Sequence, residues 1–522
     1  MTIVFLKLST NMKVWLAAAL LIFSVSSCNK QLDLKSSHQA DEAGHWTTYE
    51  DARSGLIGFY GLFRAAVADN NAHWLWGELR DGDFVSVSRP DLKAVVEGNL
   101  NASFPLIQSI TDWRRFYAVI NACNLFIERD SGCLADKRYT DSYYKLDIAQ
   151  ARAVRAFAYF YMVRIWGDVP LITKSNDGGN FDALTRTNRD VVLSFAEQEL
   201  IAAAPNLPYL YSGDDPDQLF PANYYGATQD TWLNTPLTKL AAYALLAHIA
   251  AWQGRYIDVA VYAGYIVNNA QKSNLALVDV NTLVDPNGLF LAGNGNYDQL
   301  IGFNFIKSNG ETSTSGHIEQ LTLASTTLFP MSKQLPDIYV PKDSIAHIFP
   351  TSNGIDQRFG VDTNTNANLN YTTYFENYSA AIPVFKKIRI VDGGSNSGQF
   401  AVYNSSIIFT RLEEIKLLYA ESLAALGQVD QAAQQLNNVR NNRGINSVIP
   451  GPNVNLIDEI FAERRRELMG EGWRWYDLVR YNKLKRNNAA FDDLIDKGGI
   501  YWPIAQSVMN SNPNIVQNAY WQ

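Results

Sequence analysis

Cysteine is nearly missing from this chain: 522 residues carry three. Three cannot build a disulfide framework. Cys123 and Cys133 could pair in an oxidising compartment, yet Cys123 lies in an apolar helical run where a buried thiol behaves as a small hydrophobe. Histidine is also scarce, with six residues scattered and none paired at metal-ligand spacing, which fits surface or polar-packing roles. Charged residues make up only 18% and the net charge is -8, so the basic stripe that a nucleic-acid partner needs is absent. Beyond the N-terminus no segment reaches the ~18 apolar residues of a spanning helix. No nucleophile elbow, phosphate loop or His-Glu-x-x-His occurs, and Gly293-x-Gly295 lacks the third glycine of a dinucleotide fingerprint. Asp362, Asn364 and Asn366 resemble the first half of a calcium loop, but Ala367 stands where glycine is needed and no acid closes it. The expectation is no cofactor, with a structural cation such as calcium the one opening left. Asp81 and Asp83 could in principle do glycosidase work, which needs two carboxyls ~5–10 Å apart. Acids so close in sequence more often orient a ligand or face solvent, so the chain is read as a non-enzyme.

Aromatic residues are plentiful instead: 12 Trp, 27 Tyr and 25 Phe. A core rarely takes so many Trp and Tyr whole, so some rings belong near the surface, either on helix packing faces or against a flat ligand such as a sugar. The N-terminus is an address. Lys7 and Lys13 precede an apolar run from Val14 to Phe23, too short to span a bilayer, and small residues then lead into Val25-Ser-Ser-Cys28. This resembles a bacterial lipobox, with translation starting at Met1 or Met12. Residues 1–27 read as a signal peptide, Cys28 as the lipidated residue, 28–40 as a polar tether and 41–522 as a single domain. Several acyl chains on one residue give stable anchoring.

Helical periodicity dominates the remainder. In 145–166, Val154, Phe157, Ala158, Tyr161 and Ile165 share one helix face, and Gly167-Asp-Val-Pro170 ends it. In 411–426, Leu412, Ile415, Tyr419, Leu423 and Leu426 form a stripe; Gly427 breaks it, and Val429, Ala432, Ala433, Leu436 and Val439 stripe the next helix. So short a link predicts an antiparallel hairpin. The hairpin repeats: Ala247, Ala251 and Ala260 stand at the same offsets from Gly254 as Ala420, Ala424 and Ala433 do from Gly427. Small residues let paired helices approach, which is the logic of stacked tetratricopeptide-like repeats. From about 275 to 406 the chain is rich in Asn, Gly, Ser and Thr with aromatic bursts; so long an irregular stretch is functional or disordered, and the aromatics argue for ordered loops. Residues 212–225 read as a second loop-like insertion.

The C-terminal third carries an ordered set of motifs within about 407–486. They are Arg411-Leu-Glu-Glu-Ile-Lys-Leu-Leu-Tyr-Ala-Glu-Ser-Leu-Ala424, Leu436-Asn-Asn-Val-Arg-Asn-Asn-Arg-Gly444, Ile460-Phe-Ala-Glu-Arg-Arg-Arg-Glu-Leu468 and Glu471-Gly-Trp-Arg-Trp-Tyr-Asp-Leu-Val-Arg480. With Trp113-Arg-Arg-Phe-Tyr-Ala-Val-Ile-Asn-Ala-Cys-Asn124 and Ala151-Arg-Ala-Val-Arg-Ala-Phe-Ala-Tyr-Phe160, the set resembles the SusD/RagB family of outer-membrane nutrient-binding lipoproteins of Bacteroidetes. The resemblance implies a mainly α, SusD-like fold: four tetratricopeptide-like hairpins as scaffold, with an irregular, loop-rich, minor-β side that holds ligand. It implies a surface-facing lipoprotein that captures oligosaccharide or polysaccharide and delivers it to a SusC-like TonB-dependent transporter. A peptide-binding member of the same family and a tetratricopeptide-like adaptor without a small ligand are the alternatives. The charged residues of 463–467 read as scaffold ion pairs.

A sugar site needs flat apolar rings for C–H faces and carboxylate, amide or guanidinium groups for hydroxyls. The segment 73–83 supplies both, and the resemblance implies polar ligand contacts in this N-terminal region, so Trp74, Trp76, Asp81, Asp83 and Arg89 are the leading candidates, with Tyr297, Phe303 and Tyr374 next. Trp74 or Trp76 could equally plug the core. As part of a sugar platform, at least one must be partly exposed beside Asp81 or Asp83.

Overall fold

The structure, a computed structural model, describes residues 45–522 except 177–181, 220–222, 233–234, 293–297, 327, 355, 360–373, 378–379 and 395–398. Ten helices set its frame: α1 (Tyr49–Ala68), α2 (Arg114–Arg129), α3 (Asp141–Trp166), α4 (Arg189–Ala203), α5 (Lys239–Trp252), α6 (Tyr256–Asn269), α7 (Leu412–Ala425), α8 (Val429–Asn441), α9 (Leu456–Glu467) and α10 (Arg474–Lys485). From α1 to α8 each packs on the next, giving the stacked hairpins α1/α2, α3/α4, α5/α6 and α7/α8; α9 then lies on α7 and α8. The expected mainly α architecture is what the chain adopts.

The turns follow from their residues. Gly167 ends α3 at φ +74°, and an added Cβ there would meet the Tyr501 ring at 3.2 Å. Gly254 and Gly427 both take positive φ, and their turns carry the same hydrogen bonds at the same offsets. Gly254 N donates to the Ala251 carbonyl and Arg255 N to Ala250; Gly427 N donates to Ala424 and Gln428 N to Leu423. This is a Schellman closure, which favours glycine because an L side chain is strained in that conformation. Ala247 and Ala420 are both fully buried, where their small size lets the helices approach. The repeat read from the sequence is thus a structural one.

α3 is the central element, with every residue from Ala149 to Trp166 buried except Arg152. Asp147 near its start accepts hydrogen bonds from Tyr139 (2.8 Å), Tyr224 and Tyr225, which pins the 212–225 insertion to the helix.

The strands are few and antiparallel: β1 (Val85–Ser86) pairs β3 (Ile338–Tyr339), β2 (Gln299–Phe303) pairs β8 (Ile407–Arg411), β4 (Phe375–Glu376) pairs β5 (Val384–Phe385), and β6 (Val391–Asp392) pairs β7 (Val402–Tyr403). All but β1 and β8 lie in the loop-rich middle. The β2–β8 ribbon is wholly buried, with Phe303 edge-on to Phe63 and Phe409 edge-on to Phe157.

Charged residues also fill part of the interior. Glu467 of α9 accepts from Arg358, Arg411 and Arg443 at 2.7–2.8 Å, and Glu471 accepts from Arg411 and Lys387. Arg464 bridges Glu414 and Asp477. Burial by itself would raise the Glu467 carboxyl, but Arg443 and Arg411 hold it well below the usual carboxylate range. The scaffold ion pairs expected of 463–467 are therefore core ones.

Candidate functional site

Most of the residues singled out from the sequence belong to the core. Trp74 and Trp76 are 3% and 2% exposed, so neither is a platform. Their indoles donate to the carbonyls of Gly470 and Ile110, both at 3.0 Å, and Trp76 packs against Phe116 and Trp166. The cause is a backbone-to-backbone fit: a Cβ on Gly77 would lie 1.9 Å from the Gly472 carbonyl oxygen, and Glu78 accepts from the N–H groups of Gly470 and Gly472. The turn before α10 is thereby locked on 74–79 with Trp74 sealed beneath it, while Trp76 is covered by Ile110, Phe116 and Trp166. Asp83 is buried as well, taking Arg465 in a forked pair at 2.5–3.0 Å with Arg474 at 3.5 Å. Tyr374 is fully buried and its ring lies under the Lys387 ammonium.

Two candidates stay at the surface. Asp81 is exposed, with φ +45°. Arg89 is half-buried, held by Asp91 at 2.6 Å with Asp337 at 3.7 Å. Tyr297, Cys28 and the Asp362, Asn364 and Asn366 loop lie outside the described residues. Cys123 and Cys133 are free and buried, so the pairing left open by the sequence does not form, and burial raises both thiols. Among the described residues no group of three or more His, Cys, Asp or Glu could hold a metal ion.

Among the described candidates, Phe303 borders an open cavity. One face of α1 presents Arg53, Ile57, Tyr60, Gly61 and Arg64, with Ile57, Tyr60, Gly61 and Arg64 related by helical steps of three and four. Phe303, Asn304, Ile306, Asn309 and Glu311 face it, Trp232 and Pro236 close one end, and the space between is about 240 Å³. It shares the walls Gly61 and Arg64 with a second space of about 420 Å³, bordered by Asn70, Arg115, Ser313 and His317. It shares Trp232 and Pro236 with a third, of about 40 Å³, beside Tyr209 and Tyr211. The 240 Å³ space forms a groove along α1, and the other two adjoin it at these walls.

Its polar groups are held in place. Arg64 donates to the Asn304 carbonyl at 2.7 Å, pairs with Glu311 at 3.0 Å and lies over the Phe305 ring. Glu311 also accepts from Ile306 N at 2.7 Å. Tyr60 donates to Gln150, and burial raises its phenol above the ordinary range, so the hydroxyl stays protonated. Burial lowers His317 to about 4, leaving it neutral near neutral pH.

One sequence signal for this groove went unread. Gly55, Gly58 and Gly61 recur at steps of three inside α1, where each glycine costs roughly 1 kcal/mol against alanine. Gly55 has a packing reason, since a Cβ there would press on Phe126 and Trp46 at 2.9 Å. At Gly58 and Gly61 an added Cβ would meet nothing within 4 Å. Packing does not explain them; an open groove floor does, at Gly61.

Comparison with known proteins places this geometry. The sequence profile of the SusD family matches residues 296–493. A SusD-like protein of Formosa agariphila, P38, is 26% identical over 528 residues, covering 95% of this chain and 96% of its own. The crystal structure of a SusD superfamily protein from Bacteroides thetaiotaomicron is 45% identical and superposes with a TM-score of 0.82, covering 92% of this chain and all of the other. A second SusD homologue from the same organism shares the fold at 22% identity, with a TM-score of 0.73 over 92% of this chain and all of the other.

Proposed function

The chain belongs to the SusD family, and from that membership together with the α1 groove we propose that it is a cell-surface glycan-binding lipoprotein rather than an enzyme. It captures oligosaccharide or polysaccharide and delivers it to a SusC-like TonB-dependent transporter, held at the outer membrane by acylated Cys28. No described helix is long and apolar enough to cross a membrane, which is compatible with a lipid tether.

The observation that carries the reading is the groove's composition: Tyr60, Trp232 and Phe303 wall it beside Arg53, Arg64, Asn309 and Glu311. Apolar surface suits the C–H faces of a sugar, while guanidinium, amide and carboxylate groups suit its hydroxyls.

Gly61→Leu tests the assignment, because a Cβ there meets nothing within 4 Å and the longer side chain is directed at the floor. On a Cys28→Ala background screened against an oligosaccharide panel, Gly61→Leu is expected to weaken binding by at least about tenfold, about 1.4 kcal/mol, with the fold intact. Unchanged binding in this variant moves the site to the surface candidates Asp81 and Arg89.

A further inference from the structure

A second cavity, of about 350 Å³, lies where the end of α3, the start of α4, the end of α10 and the C-terminal segment meet. The residues that give it character are Asp168, Arg186, Arg189, Lys483, Lys497 and Tyr501. Their charges do not balance. Lys497 is paired with Asp493 at 2.8 Å, and Asp496, also on the wall, is paired with Arg486 at 3.0 Å. Arg186, Arg189 and Lys483 are left facing Asp168.

Asp168 answers little of that charge. Its Oδ1 accepts the backbone N–H of Arg189 at 2.9 Å and lies 3.7 Å from the Arg189 guanidinium. Arg186 donates to the carbonyls of Trp166, Asp168 and Val516 and to the Asn518 side-chain oxygen, so it is fixed in place with no carboxylate on it. The Lys483 ammonium donates to the Trp252 carbonyl at 3.1 Å and sits 4.2 Å over the Trp252 ring. One of its three donors is thus used, on a neutral acceptor. Burial first, then the nearby charges of Arg189 and Arg480, lower Lys483 to about 8 despite Asp190. A cation so placed is short of a counter-charge.

We infer that this cavity is an anion-binding site, in which Lys483 and Arg189 grip a carboxylate, sulfate or phosphate group carried on a ligand of sugar size or free. An oxyanion offers several acceptors to a guanidinium fork and an ammonium at once. The volume lies within the ~300–1,000 Å³ of small-molecule sites. Arg186, bound on all sides, contributes fixed charge behind the contact pair. The site shares no lining residue with the α1 groove and does not depend on what that groove binds.

The test is a thermal-shift titration of the full-length protein with sodium sulfate, sodium phosphate, sodium glucuronate and glucose, against sodium chloride at matched ionic strength. A saturable rise in melting temperature is expected with at least one oxyanion and not with chloride or glucose. Lys483→Met should weaken that response by about tenfold or more, the scale of a lost charged hydrogen bond. Arg189→Gln should weaken it as well, while Gly61→Leu leaves it intact. Stronger binding of glucuronate than of sulfate or phosphate identifies the ligand as an acidic sugar; the reverse order identifies a free oxyanion. No rise beyond the chloride control, or a full response in both Lys483→Met and Arg189→Gln, overturns the assignment.

Discussion

Two regions of this molecule use the same side-chain types to opposite ends. Around Glu467, arginines and glutamates are fully buried and every partner is protein: Arg358, Arg411 and Arg443 converge on one carboxylate. In the α1 groove, Arg64 and Glu311 are also paired, but both keep solvent exposure and border open space. The interior web pairs its charges internally and exposes none of these groups to a ligand. The groove side chains are fixed by a few bonds and retain free donors and acceptors. Residue type therefore does not separate scaffold from site; what each side chain has left over after folding does.

The largest expected effect lies in the web. Glu467→Gln leaves three buried guanidinium groups short of charge, and about 3–5 kcal/mol of unfolding free energy should be lost in urea titrations. A loss under about 1 kcal/mol would mean that the web is wetter than its burial implies. Smaller effects belong to the hairpin seams. Ala247→Leu and Ala420→Leu each force a larger side chain into a fully buried helix contact, at an expected cost of about 1–3 kcal/mol by the same measurement.

A third test uses pH. Burial raises the Asp147 carboxyl to about 7, although Tyr224, Tyr225 and Tyr139 favour the ionised form. Its folded pKa therefore lies above the unfolded value. The stability tied to its proton is present below the ordinary carboxylate range and is lost as pH rises through about 7. Asp147→Asn cannot titrate. The stability of the wild type relative to this variant should accordingly fall between pH 5 and pH 8, read by denaturation at each pH. A flat difference would place the ionised form in the folded state throughout. The smallest stability change is expected in the groove: Gly61→Leu should stay within roughly ±0.5 kcal/mol or gain up to about 1 kcal/mol of helix propensity. Lost binding with unchanged stability is the signature that separates the groove from the web.

The scaffold was largely legible in the sequence. The stop at Gly167, the paired turns at Gly254 and Gly427 and the stripe of 411–426 each depend on local geometry, which a linear pattern records. The site was not. Trp74 and Trp76 beside Asp81 and Asp83 read as a ligand segment because tertiary covering leaves no local mark; the turn that covers Trp74 lies some four hundred positions away, and Trp76 is covered by Ile110, Phe116 and Trp166. Leu75 and Leu79, both buried with them, were the available warning. The groove is assembled from α1, Trp232, Pro236 and 303–311, so no window of sequence contains it. Phe303 and the unexplained glycines of α1 pointed there.

The all-round burial of α3 has a consequence for time rather than for binding. A helix covered on every side can exchange its amide protons with water only when its covering elements leave together. Its amides from Val154 to Ile165 thus act as a clock for whole-molecule opening, while the exposed turns at Gly254 and Gly427 keep a faster, local time.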